Sequence, residues 1–158
     1  METFEQRQKR ENDRQYRQWL SAGFQGEMTV DKNGWCTNGI SFYKDENVKK
    51  LILFDKPYFR ASITYMQLPN GKWVAGSSAT FPLHGWGHGL SVWCRQHSSL
   101  QAAIYEQLDY IEKSLSLYEK DKKKFVLDAI QRCRNEFKEA DVELAFGATA
   151  RFSQMTLF

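Results

Sequence analysis

The fold of this chain is decided by three consecutive stretches: RASITYMQL at 60–68, PNGK at 69–72 and WVAGSSATF at 73–81. The Asn-Gly pair in the middle stretch supplies the positive φ angles that a tight hairpin turn requires. The β-branched and aromatic residues before it suit a pleated surface, so the sequence predicts a β-hairpin here. Small residues at 75–79 would let another backbone or a ligand approach the second strand closely.

Helical patterns follow the hairpin. Ser98 stands three residues before Gln101, which is typical of a capping box at a helix start. Apolar residues then recur at spacings of three or four and form one stripe, at positions 100, 104, 108, 111 and 115. The same spacing predicts a second helix to about residue 139, with Phe125, Ile130, Cys133 and Phe137 on its apolar side. The two helices should pack as an antiparallel pair.

A further helix is expected at the beginning of the sequence. Residues 3–20 are dense in Arg, Gln and Glu, which favour helix, and Gly23 stands where a helix should stop. The few apolar residues of this arm concentrate near its end, so only its last turn is expected to dock on the domain. The first ten residues are then expected to fray.

Together these patterns predict an α+β fold. It comprises an antiparallel sheet of four to five strands, an N-terminal helix and two C-terminal helices, one of them packed on the sheet. Additional strands are predicted at 27–30, from Trp35 onward, and at 48–54. The 158 residues suit one domain. Its expected parts are a helical arm at 1–22, the domain at 23–146 and a weakly structured tail at 147–158.

Composition restricts the classes of function. A formal net charge of +3 is too small to indicate polyanion binding by itself. The three cysteines are odd in number and far apart, which does not describe a disulfide scaffold. The longest aliphatic or aromatic run, at 51–54, is far too short to span a bilayer. We therefore expect a cytoplasmic protein with reduced thiols and no membrane partner.

The sequence favours a non-catalytic protein without a cofactor. Residues 61–107 contain three charged side chains, so the carboxylates lie mostly outside the charge-poor middle, where burial could tune an acid or a base. A weak metal candidate with the spacing His-x3-His-x5-Cys-x2-His lies in and beyond a glycine-rich stretch, at His84, His88, Cys94 and His97. This spacing is not one of the usual zinc patterns, and the favoured interpretation is an ordinary loop that joins the hairpin to a further strand at Trp93.

Two sets of residues are candidates for nucleic-acid contact. The basic candidates are Arg7, Arg10, Arg14 and Arg17 in the arm, and Lys122, Lys123 and Lys124 in the second half. The near balance of charges in the arm favours a solvated helix with internal ion pairs. Aromatic residues could offer a stacking face, at Tyr58, Phe59, Tyr65, Trp73, Trp86 and Trp93. A chain with 15% aromatics must bury many of them, which favours the core.

The last five residues, Gln154-Met155-Thr156-Leu157-Phe158, carry the most specific signal. They resemble the bacterial sliding-clamp-binding motif: Gln, an aliphatic residue, a small or polar residue, Leu and Phe. The resemblance implies that Leu157 and Phe158 fill a hydrophobic pocket of the clamp, Met155 a shallower one, and that Gln154 hydrogen-bonds at the rim. The alternative is that Leu157 and Phe158 dock on their own domain as a last strand.

Residues 65–111 also resemble small phage and plasmid proteins, with a hairpin near a Trp, a small-residue strand and a Ser-capped helix. This resemblance implies an origin in a mobile element and assigns no activity. We therefore predict a binding protein linked to DNA replication or processing through the sliding clamp. The alternative is an inhibitor of a host defence system, of the anti-CRISPR or anti-restriction type, that occupies a protein or nucleic-acid surface. An enzyme is the third choice.

Overall fold

The computed structural model describes residues 1–138. Over this range it contains three α-helices and one antiparallel sheet with the strand order β1-β2-β3-β4. In chain order the elements are α1 (Phe4–Ser21), β1 (Lys49–Lys56), β2 (Phe59–Gln67), β3 (Trp73–Thr80), β4 (Gly85–Gly87), α2 (Leu100–Ser114) and α3 (Lys120–Phe137), with a 3-10 turn at Leu115–Leu117 between α2 and α3. The predicted α+β class is confirmed. No helix within residues 1–138 is long and apolar enough to cross a bilayer.

The predicted hairpin is formed by β2 and β3. Gln67 pairs with Trp73 at its closed end, and Gly71 in the turn has a φ of 89°. The Leu68 N–H donates to the Lys72 carbonyl at 2.7 Å, which closes the turn. β1 adds to the free side of β2, and the short β4 adds to β3.

Alternation along β2 and β3 separates two cores. On one face, Ile63 and Tyr65 meet α2 and α3; we call this cluster the helix core, and it includes the whole predicted stripe of α2. On the other face, Met66 and Val74 meet the end of α1 and the loop segments 24–48 and 88–94; we call this cluster the loop core. Both helices contact the sheet, since α2 packs on β2 and β3 while α3 packs on β1.

The small residues of β3 permit the close approach that their size predicts. The His88 N–H donates to the Ser77 carbonyl at 2.8 Å, so the chain after β4 lies against β3. A Cβ atom on Gly76 would lie 2.4 Å from the His88 carbonyl oxygen. A glycine is therefore required here by a neighbouring backbone.

Three local predictions are wrong. The segment at 27–30 and its return form one isolated bridge, Val30 with Cys36, and no strand pair. The last strand of the sheet is β4, which lies inside the glycine-rich stretch, and Trp93 belongs to a turn. The cap of α2 is Ser99, since its extended backbone lets the hydroxyl oxygen accept the Ala102 N–H at 3.1 Å.

The two neighbouring serines give a matched test of this cap. Ser99→Ala should lower the free energy of unfolding by about 1 kcal/mol, because the Ala102 N–H at the helix start loses its acceptor. Ser98→Ala, at an exposed position with the same chemical change, should leave stability unchanged. Urea denaturation of both variants measures the difference. Equal effects of the two substitutions would contradict the assignment of the cap.

Candidate functional site

α1 is fixed on the domain by amide side chains along one of its sides. The Gln8 side-chain N–H donates to the Asn33 carbonyl at 2.8 Å. The Asn12 amide makes two bonds, since its Nδ2 donates to the Gly34 carbonyl and its Oδ1 accepts the Cys36 N–H, both at 2.8 Å. These bonds satisfy backbone groups of an irregular loop that has no strand partner to pair with them.

The same side continues toward the end of the helix. Gln15 Nε2 donates to the carbonyls of Cys36 and Asn38, at 3.0 and 2.9 Å. The Tyr16 hydroxyl donates to the Gly26 carbonyl at 2.6 Å. Together with Gln8, Asn12 and Trp19, these residues define what we call the docking side of α1. The expectation that only the last turn docks is therefore wrong, because polar side chains provide the attachment that apolar ones do not.

The last turn of α1 adds an apolar contact. The ring of Trp19 stacks on Phe24 at a centroid distance of 5.6 Å, and Phe24 in turn stacks on Phe42 in the loop core. Ala22, which follows the helix, is fully buried there. At the other end, a capping box between Thr3 and Gln6 closes the helix start. α1 is thus ordered from its first turn to its last.

The opposite side of α1 is basic and faces solvent. The four candidate arginines follow one another at spacings of three, four and three residues, which places them on one side of a helix. All four are exposed. With 3.6 residues per turn, positions 7, 10, 14 and 17 fall opposite positions 8, 12, 15 and 19. We call this set, Arg7, Arg10, Arg14 and Arg17, the arginine stripe.

Two members of the stripe have acidic partners. Arg10 makes a two-pronged contact with Glu2, at 2.8 and 3.1 Å, and this partner raises the pKa of the Arg10 guanidinium. Arg14 lies 3.8 Å from Glu11 and 4.9 Å from the ring centre of the half-exposed Trp93. The ion pairs found within residues 1–138 include neither Arg7 nor Arg17.

The lysine candidates lie elsewhere. Lys122, Lys123 and Lys124 occupy the first turns of α3, and Lys123 Nζ donates to the Leu115 carbonyl at 3.0 Å. α3 belongs to the helix core, whereas α1 ends in the loop core on the other face of the sheet. The lysines and the arginine stripe therefore do not form one basic surface.

The four metal candidates are not brought together. His84 Nδ1 lies 3.1 Å from the Tyr118 hydroxyl, with its ring stacked near Trp86. His97 Nε2 lies 3.2 Å from a Glu106 carboxylate oxygen. His88 contacts the ring of Tyr110, and Cys94 Sγ lies 3.6 Å from the Gly89 carbonyl. In the described part of the chain, no group of three or more His, Cys, Asp or Glu side chains is arranged to hold a metal ion.

The aromatic candidates for nucleic-acid stacking are also not brought together on one surface. Tyr65 is buried, and Phe59, Trp73 and Trp86 pack against the helix core. Tyr58 and Trp93 are 75% and 47% exposed. Tyr58 lies in the β1–β2 turn, whereas Trp93 lies beside α1. These residues form no continuous stacking face, and their interpretation as mostly core is confirmed.

The cysteines differ in access and in chemistry. Burial raises the pKa of the Cys133 thiol to about 12, and Cys36 is also buried. Cys94 is half-buried and is the most accessible thiol of the three. Burial likewise raises the pKa of the Tyr65 phenol, which lies in the helix core with Cys133. These are properties of a packed interior.

Sequence reasoning missed the docking side of α1 and the contact between Arg14 and Trp93. The signal for the docking side was present, since Gln8, Asn12, Gln15 and Trp19 repeat at the spacing of an apolar stripe. The repeat does not predict docking by itself, because its side chains are mostly amides that satisfy a loop backbone, whereas a docking stripe is ordinarily indicated by apolar residues that fill a core.

Asn12→Ala tests the attachment of α1. It should lower the free energy of unfolding by about 1–3 kcal/mol, because a loop N–H and a loop carbonyl lose their partner at once. Gln18→Ala, on the other side of the same helix, should have little effect. Urea denaturation followed by circular dichroism makes the comparison. An Asn12→Ala variant as stable as Gln18→Ala would show that α1 does not depend on these bonds.

Thiol labelling at pH 8 should distinguish the cysteines. One thiol of the native protein should react quickly with Ellman's reagent, and three should react after denaturation. At a pKa of about 12, only about one Cys133 side chain in ten thousand is a thiolate at this pH. Cys94→Ser should remove the fast phase. A fast phase that persists in this variant would contradict the burial of Cys36 and Cys133.

The remaining candidates, Gln154, Met155, Leu157 and Phe158, lie outside the described residues, as do the end of the predicted domain and the predicted tail. Comparison of the chain with protein-family models, with curated proteins and with solved structures finds no match. Its function must therefore be inferred from its own residues.

Proposed function

We propose that this chain is a non-catalytic binding protein of bacterial or mobile-element origin that attaches to a bacterial sliding clamp through Gln154, Met155, Leu157 and Phe158. The observation that carries the proposal is the sequence Gln-Met-Thr-Leu-Phe, which fits the clamp-binding motif at all five positions. The attachment links the protein to DNA replication or processing.

The chemistry of the pentapeptide suits a short recognition element. Leu157 and Phe158 are two adjacent apolar anchors, and burial of each is worth about 1.5–3 kcal/mol. Met155 adds an adaptable apolar contact. Gln154 offers both a donor and an acceptor, which can set the register of an extended peptide. A few such anchors account for most of the binding energy in a small interface.

The arrangement of the chain supports this division of roles. Within residues 1–138, the helix core and the loop core are built from elements that run from the last turn of α1 to Phe137. Sixteen residues separate Phe137 from Gln154. At about 3.3 Å per residue, a segment of this length can span at most about 50 Å. The pentapeptide can therefore reach a partner while the domain makes a separate contact.

The anchors are tested by the double variant Leu157→Ala/Phe158→Ala against a purified bacterial sliding clamp. The wild-type chain should bind with a micromolar Kd, and the double variant should bind at least a hundredfold more weakly. Loss of two anchors removes about 3 kcal/mol or more, and each 1.4 kcal/mol is tenfold in Kd. Isothermal titration calorimetry measures both constants.

Thr156→Ala is the matched control, because the motif accepts any small or polar residue there; it should bind like the wild type. Thermal melting of the double variant separates the alternatives. An unchanged melting temperature fits a recognition peptide, whereas a clear drop without wild-type clamp binding indicates docking on its own domain. The alternative function, inhibition of a host defence system, would be favoured by two results together. The wild-type protein would fail to bind the clamp, and it would capture a host defence protein through its folded domain.

A further inference from the structure

We propose that the arginine stripe of α1 binds the phosphate backbone of duplex DNA. The inference goes beyond clamp attachment and does not rest on it, since the stripe belongs to the folded domain and the clamp motif to residues 154–158. The site consists of Arg7, Arg10, Arg14 and Arg17, and its ligand is a polyanion that is bound without sequence specificity.

The geometry of the stripe suits a linear polyanion. Arg7 and Arg17 are ten residues apart on one helix, which corresponds to about 15 Å along its axis. Duplex DNA presents one negative charge per about 1.7 Å of its axis, so about nine charges lie within that length. A straight row of four guanidinium groups can therefore contact several phosphates at once.

The attachment of α1 makes the row a fixed feature. Gln8, Asn12 and Gln15 bond the opposite side of the helix to loop backbone, and Trp19 stacks on Phe24 at its end. The exposed side is therefore presented by the domain and is not a fraying arm. Contacts from a preorganised element lose less affinity to the ordering of the chain on binding.

The side chains around the stripe favour phosphate over a bilayer. The exposed side of α1 also carries Lys9 and the uncharged donors Gln6, Gln18 and Ser21, with Asp13 as an acidic neighbour. Such donors commonly contact phosphate oxygens. A helix that inserts into a membrane surface needs a row of large apolar residues along one side, whereas the exposed large apolar residues of α1 are Phe4 and Leu20, at its two ends.

The charges of the stripe are available to a ligand. Within residues 1–138, no ion pair includes Arg7, Lys9 or Arg17. Arg10 contacts Glu2 and Glu11, and Arg14 contacts Glu11; these carboxylates are exposed or half-exposed, where water already weakens ion pairs. A phosphate can therefore replace a carboxylate at these two arginines. Arginine is the suited residue, since its planar fork can donate two hydrogen bonds to one phosphate.

The test uses the full chain, a fluorescent duplex of about 20 base pairs without the clamp, and anisotropy titrations between about 50 and 200 mM KCl. The wild type should bind with a micromolar Kd at the lowest salt. A plot of the logarithm of the association constant against the logarithm of the salt concentration should have a slope of about −3.6, since each of four neutralised phosphates contributes about −0.9. Arg17→Gln should reduce the slope by about 0.9. The variant Arg7→Gln/Arg10→Gln/Arg14→Gln/Arg17→Gln should weaken binding at least tenfold.

A second variant controls for net charge. Lys120→Gln/Lys122→Gln/Lys124→Gln/Arg132→Gln removes four exposed positive charges from α3 and should keep wild-type affinity within about twofold. Arg and Gln have similar helix propensity, so circular dichroism should show equal helix content in all variants. Absence of wild-type DNA binding, equal loss in both variants, or stripe-dependent binding to phosphatidylserine vesicles without DNA binding would each overturn the proposal.

Discussion

The pairing of β2 with β3 is the interaction on which the rest of the structure depends. It places Ile63 and Tyr65 on the face that meets α2 and α3, and Met66 and Val74 on the face that meets the loops. Because side chains alternate along a strand, a shift of one residue would exchange the two faces. The turn at residues 69–72 therefore closes the hairpin and also determines which side chains enter the helix core and which enter the loop core.

The two faces of the sheet are covered by different means, and this difference explains the composition of α1. Two helices cover the first face with apolar stripes, whereas irregular backbone covers much of the second. Irregular backbone brings donors and acceptors that lack ladder partners. α1 supplies those partners through amides, so it has no buried residue over eighteen positions and still packs along its length. Its other side remains available for charge.

Much of the fold could be predicted because its signals are local. The turn at Asn70-Gly71 and the stripe of α2 depend on residues close in sequence, and both formed as expected. The docking of α1 could not be predicted, because Asn12 bonds to residues 22 and 24 positions away, and no periodicity shows which backbone will need an amide. The arginine stripe was visible, but its exposure depends on that same docking. The choice of Ser99 over Ser98 depends on which serine is extended, which composition does not show.

If both proposed contacts form on one assembly, their combination explains why each can be weak. Non-specific contact with DNA has a Kd in the range of about 10⁻⁴–10⁻⁶ M at physiological salt, and a short peptide contact is also modest. A connection with a reach of about 50 Å or less holds the second contact at an effective concentration on the order of millimolar. With a DNA Kd of about 10 μM, the linked complex is held about a hundredfold more tightly than by the peptide alone. The gain exists only where clamp and DNA are together, so a fixed basic helix and a distant peptide can select that assembly without a base-specific contact.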